Sequence, residues 1–135
     1  MASFQFTPRS THSDNLMAML PLQISNGARS ADVLGMIDSA STINVLPYSL
    51  GAALGAIWEE QQVIGNLTGA LSRVTARGLV VQANSSAIAG AQDVALLFAW
   101  ASTDEVPVLF GQLNFLMEFN VCFYRSQNYF EVWRS

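Results

Sequence analysis

GMIDSASTINVLPYSLGAALG, residues 35 to 55, ends an apolar run on one carboxylate, Asp38, and follows it with three small residues, Ser39, Ala40 and Ser41. The run before the acid has the length and composition of a strand, while Pro47 stands where a first helical turn can begin. The stretch therefore reads as strand, loop and short helix. An acid at a strand end followed by serine has an ordinary explanation, a turn closed by local side-chain hydrogen bonds. It also has a chemical one, because the usual catalytic constellations are missing elsewhere and carboxylate chemistry at Asp38 is what remains.

Working outward, nine glycines punctuate apolar runs of strand length, a spacing that points to a mainly β chain. Strands are expected in residues 16 to 24, 31 to 38, 78 to 83, 93 to 101, 106 to 110 and 120 to 125, all carrying β-branched or aromatic side chains. Several are apolar on both faces, as buried strands are. Short helices are expected at PYSLGAALG (47 to 55) and QLNFLMEF (112 to 119), where Leu113, Leu116 and Met117 fall at helical spacing. Residues 1 to 15 read as a flexible N-terminal segment and 83 to 92 as a mobile loop. No repeat or low-complexity linker divides the 135 residues, which suit one domain.

Composition excludes several functions. With 51% hydrophobic and 12% charged residues, the chain has too few charges to cover a monomer's surface, so an oligomer is expected. The net charge is −4, lysine is absent, and Arg9, Arg29, Arg73, Arg77, Arg125 and Arg134 are scattered, which argues against nucleic acid. The N-terminus lacks a basic start with an apolar core, VALLFAWA (94 to 101) is too short for a membrane helix, and Pro47 interrupts the segment from 43 to 58. A soluble, cytoplasmic protein with no membrane partner is expected. Cys122 is the only cysteine, its flanks FNVCFY suggest a buried structural thiol, and no intrachain disulfide or thiolate cluster is possible. His12 is the only histidine and lies in the polar N-terminal stretch, a poor base for a Ser-His-Asp triad. One histidine, one cysteine and dispersed acids give no metal-ligand spacing, so no metal or cofactor is expected; Glu59, Glu60 and Arg73 read as solvated charges.

MIDSAST, residues 36 to 42, resembles the active-site loop of retroviral-type aspartic proteases, in which two apolar residues precede Asp, Ser or Thr, Gly, Ala or Ser, and a polar residue. Asp38, Ser39, Ser41 and Thr42 match; Ala40 stands where the family has glycine. NVLPYSLGAALGAIWEE is similar to the following segment of stand-alone bacterial, especially cyanobacterial, members. Leu109, Phe110 and Gly111 resemble the family's second motif, two apolar residues and a glycine before a short helix. The stretch between the two motifs has room for a flap hairpin, to which NLTGALSRVTARGLVVQ (66 to 82) corresponds, with Thr68, Gly69, Ala70 and Gly78 as flap or substrate-contacting residues.

The resemblance covers about residues 16 to 133 and implies a small closed acid-protease β-barrel with one or two short helices and one active-site loop per subunit. Proteolysis by this chemistry needs two carboxylates sharing a proton, and the chain has one such loop. A twofold homodimer pairing Asp38 with its copy is implied. So is an aspartic endopeptidase that cleaves extended peptides and uses no cofactor. By resemblance, Ser39 bonds across the twofold axis and the Ser41 hydroxyl donates to the Asp38 carboxylate, favouring an acidic working pH. Gln112 stands where retroviral enzymes commonly have an arginine that holds the dimer. NVCFYRSQNYFEVW near the C-terminus is expected to contribute to an interface sheet and the core. Ala40 keeps a second reading open, a catalytically impaired pseudoprotease acting as a dimeric peptide-binding or assembly module. A third is a folded fragment that has lost the dimer.

Overall fold

Alternation along the strands explains where each one packs. In a computed structural model, which describes every residue except 13, 68 to 70, 91 and 92, β4 (Met19–Asn26) turns Leu20, Leu22 and Ile24 inward and Pro21 and Gln23 outward. β5 (Arg29–Ile37) buries Val33 and Ile37, β8 (Thr75–Asn84) buries Leu79, Val81 and Ala83, and β9 (Val94–Ala101) buries Val94, Leu96, Phe98 and Trp100. This period of two gives each of these four strands a core face. With the short β6 (Asn44–Leu46) and β10 (Leu109–Phe110), the strands form a ring in the order β4-β5-β10-β6-β9-β8, closed by pairing of β4 with β8. The fold is mainly β, a closed six-stranded barrel with two short helices.

Pairing within the ring is mixed. β10 runs parallel to β5 and antiparallel to β6, and β6 runs parallel to β9. β7 (Val63–Asn66) adds to the free side of β8 as one arm of a hairpin. Pro21, with no N–H to give, falls where β4 has β5 alone as partner, because β8 pairs only with residues 23 to 25.

The first helix, α1 (Tyr48–Ala53), follows Pro47 as its sequence indicates. It lies on Trp100, whose Nε1 donates to the Tyr48 carbonyl at 2.9 Å. An added Cβ at Gly51 would sit 2.3 Å from the Trp100 ring, so only glycine lets the helix approach this closely. The second helix, α2 (Phe115–Glu118), is one turn long, shorter than the expected 112 to 119. Its first two expected residues, Gln112 and Leu113, instead donate their N–H groups to the Ser41 and Thr42 carbonyls beside Asp38. Phe110, Phe115 and Phe119 stack with centroids 4.9 and 4.8 Å apart, a continuous apolar column from barrel to terminal sheet.

That terminal sheet corrects two expectations. Residues 1 to 15 are not all flexible: β1 (Ala2–Gln5) pairs antiparallel with β12 (Tyr129–Arg134), and β2 (Thr7–Pro8) pairs with β3 (Leu16–Met17). Phe4 stacks on Phe130 at 5.5 Å, and this burial is what orders the segment. β11 (Phe119–Tyr124) completes the sheet, in which Phe130 and Val132 are fully buried, as the aromatic C-terminal stretch suggested. Cys122 is half-buried rather than enclosed, because it falls on the face of β11 opposite the buried side chains. The segment expected to be a mobile loop begins as the end of β8, and Ile88 anchors it in the core. Only residues 109 and 110 of the expected strand at 106 to 110 pair as a strand. No described helix is long and apolar enough to cross a membrane.

Candidate active site

Asp38 comes directly after β5, and its backbone N–H donates to the Phe110 carbonyl at 3.0 Å. That bond ties the two motifs singled out in the sequence. Their lacing continues as Gln112 N donates to the Ser41 carbonyl at 3.0 Å and Leu113 N to the Thr42 carbonyl at 2.9 Å; Asn44 N donates in return to the Leu113 carbonyl at 3.0 Å. The loop from 38 to 44 therefore lies alongside residues 110 to 113. Contact is so close that a Cβ at Gly111 would stand 2.6 Å from the Ile43 carbonyl oxygen and 2.8 Å from that of Ser41.

The Asp38 carboxylate is half-buried and accepts the Ala40 N–H at Oδ1, 3.0 Å away, while Ser41 N donates to the Asp38 carbonyl at 3.1 Å. The acid thus caps its own turn, and no donor among the described residues reaches its second oxygen. That turn also bears on Ala40. Among the described non-glycine residues only Asp93 and Asn128 have positive φ, so the loop holds Ala40 without left-handed backbone. Its methyl group lies exposed on the wall of a cleft.

One predicted contact differs. The Ser41 hydroxyl donates at 2.7 Å to the Ile43 carbonyl, not to Asp38. A hydroxyl has a single proton to give, so the expected donation to the carboxylate is replaced by the Ala40 N–H. Gln112, in the place of the family's arginine, reaches back to its own loop, its Nε2 donating to the Ser39 carbonyl at 2.6 Å.

The cleft has a volume of about 510 Å³. Its floor is Val45, Ala76, Ala99 and Leu109 from four barrel strands; Ile64, Leu67 and Leu71 close one side, and Asp38, Ala40 and Ser41 stand at the mouth. Among its described lining residues Asp38 is the only ionisable one. The side walls belong to the hairpin that begins in β7 and returns in β8, held by Leu67 N to the Val74 carbonyl at 2.9 Å. Of the expected flap residues, Thr68, Gly69 and Ala70 lie outside the described residues. Gly78 sits at the base of the hairpin, paired with Ala99, and does not line this cleft. Leu109 is on the floor, whereas Phe110 points into the core and Gly111 is buried in the loop contact.

Comparison with family models, curated proteins and solved structures returns no match. No group of three described His, Cys, Asp or Glu residues is arranged to hold a metal ion.

Asn44 was not singled out from the sequence. It is the sole buried polar side chain among the described residues, accepting from Gly111 N at 2.8 Å and donating to the Leu97 carbonyl at 2.9 Å and to Asn114 Oδ1 at 3.1 Å. Asn114 in turn accepts from Leu97 N at 3.0 Å and donates to the Ala95 carbonyl at 2.9 Å. The pair fastens the loop contact to β9. A polar residue inside the apolar run TINVLP was the signal that could have found it. Asn44→Leu takes the side-chain partner from the buried Gly111 N–H and from the Leu97 carbonyl, while Asn114 Oδ1 keeps the Leu97 N–H, and is expected to cost about 2–4 kcal/mol of stability. Denaturant unfolding measures it; a loss below about 1 kcal/mol would show that the network matters little.

Proposed function

We propose that this chain is a retropepsin-like aspartic endopeptidase that works as a twofold homodimer and cleaves extended peptides. The observation that carries the reading is a lone half-buried carboxylate at the mouth of an apolar cleft, on a loop laced to the segment that follows β10 and contains Gly111. An apolar, strand-walled cleft suits an extended peptide, whose side chains alternate and whose backbone groups seek strand partners. Hydrolysis there requires a second acid. Since Asp38 is the only ionisable lining residue described, the partner acid is the Asp38 of a second copy.

In such a pair two adjacent carboxylates hold one proton between them. The ionised one takes a proton from a water molecule as its oxygen adds to the scissile carbonyl carbon, and the protonated one gives its proton to the carbonyl oxygen. The tetrahedral diol then collapses, the C–N bond breaks, and the nitrogen leaves with a proton returned by the pair. Leu113 and Met117, 54% and 63% exposed beside the loop, supply apolar surface for the second copy to cover. A cytoplasmic setting accords with the single, unpaired cysteine.

Ala40 favours a second reading, in which the same dimer binds peptides without cutting them. A mixed peptide library incubated between pH ~4 and 7, the range in which carboxylate pairs titrate, separates the two. The protease reading expects cleavage that is blocked by a peptide carrying a hydroxyl in place of the scissile carbonyl, together with a dimer in sedimentation velocity. Cleavage by Ala40→Gly alone would establish the second reading, and a monomer that cleaves nothing would sink both.

A further inference from the structure

A second cleft, of about 600 Å³, adjoins the first. The two share Ile64 of β7 and Leu97 of β9, which are 47% and 40% exposed. Gly78 of β8 lies between them, and a Cβ built on it would stand 3.6 Å from Ile64 Cγ2 and 3.7 Å from Leu97 Cδ1. Two aliphatic posts thus flank a strand position without a side chain, leaving a notch from one cleft to the other. Beyond the notch, Ile57 and Val80 present further apolar surface at 49% and 56% exposure, and Gln61 and Gln62 give the rim polar groups. Large aliphatic side chains gathered on one solvent-facing patch mark a surface that something covers.

Resting on the reading of the Asp38 cleft as a peptide site, we propose that the second cleft binds the distal part of the same extended peptide. Its main chain crosses the notch at Gly78, and an apolar side chain settles against Ile57 and Val80. Continuity through Ile64 and Leu97 argues for this occupant, because a chain lying on the first cleft's floor meets the notch without leaving the sheet face.

Random dodecapeptides displayed on phage and selected on Asp38→Asn protein supply the probe, since binding then proceeds without cutting. The best binder is synthesised and shortened one residue at a time from each end, with affinity read by fluorescence anisotropy. A twofold dimer carries one second cleft per subunit, so at either end removal of the residue that reaches it is expected to weaken binding by about tenfold. Gly78→Leu fits the backbone and the space at its Cβ but fills the notch; Val80→Lys alters only the second cleft. Each should bind the full peptide as weakly as the one shortened at both ends, whose own affinity stays unchanged. Absence of any such step, failure to select a binder, or a full-length advantage that survives both substitutions overturns the proposal. If the step appears and unsubstituted protein leaves the same peptide intact, the protease reading falls while the second cleft stands.

Discussion

Asp38→Asn is expected to fold like the parent and to lose at least about 10³-fold in peptide hydrolysis. Both halves of the expectation come from one atom. Asp38 Oδ1 accepts the Ala40 N–H, and the amide oxygen of asparagine can accept the same bond. The turn therefore keeps its cap, and stability should move by no more than about 0.5 kcal/mol. An amide can neither take a proton from water nor hold the proton that two carboxylates share, so both the base and the acid are lost in a symmetric dimer. Kinetics on a cleaved library peptide, paired with thermal unfolding of the same preparations, measure the two quantities. Unchanged hydrolysis would mean that Asp38 is only a turn cap. Asp38→Ala is the companion control, because it removes the cap as well as the acid.

Gly111→Ala should be the most damaging single-methyl addition at the site. The new Cβ would meet the carbonyl oxygens of Ile43 and Ser41 at 2.6 and 2.8 Å, and both are backbone atoms that cannot swing aside like the end of a long side chain. Relief requires the loop and residues 110 to 113 to part, which breaks the bonds from Asp38 N to Phe110 and from Gln112 N to Ser41. The expected cost is about 3 kcal/mol, from overpacking together with lost backbone bonds. Chemical denaturation measures it, and a companion library assay should show hydrolysis falling along with stability. A fully stable Gly111→Ala protein would contradict the close approach of the two segments.

The barrel strands were legible because their side chains alternate. Leu20, Leu22 and Ile24 against Pro21 and Gln23 leave little choice of face. Asp38 could be singled out for a similar reason, since an acid ending an apolar run breaks a pattern, whereas Gly111 stood out only through its resemblance to a family motif. β1 escaped notice because Ala2–Gln5 is too short and mixed to announce a strand, and it exists through its pairing with β12. α2 lost half of its expected length because Gln112 and Leu113 give their N–H groups to Ser41 and Thr42 rather than to a helix. Periodicity is blind to such tertiary competition. Side-chain destinations were beyond reach as well: Ser41 could equally have faced its acid or the Ile43 carbonyl, and only the path of the loop decides.

The insertion of β10 between β5 and β6 has a kinetic consequence. β5 and β6 are neighbours in sequence, yet in the barrel each hydrogen-bonds to a strand from near the other end of the chain. No local hairpin can assemble the Asp38 loop in advance, and closing so long a loop carries its entropy cost before any contact repays it. The β4–β5 and β8–β9 hairpins can form early from nearby residues, whereas the acid waits for the chain's final third. A nascent or partly unfolded chain therefore holds Asp38 on an unanchored segment, and the hydrolysis proposed for the cleft would be confined to molecules whose folding is complete.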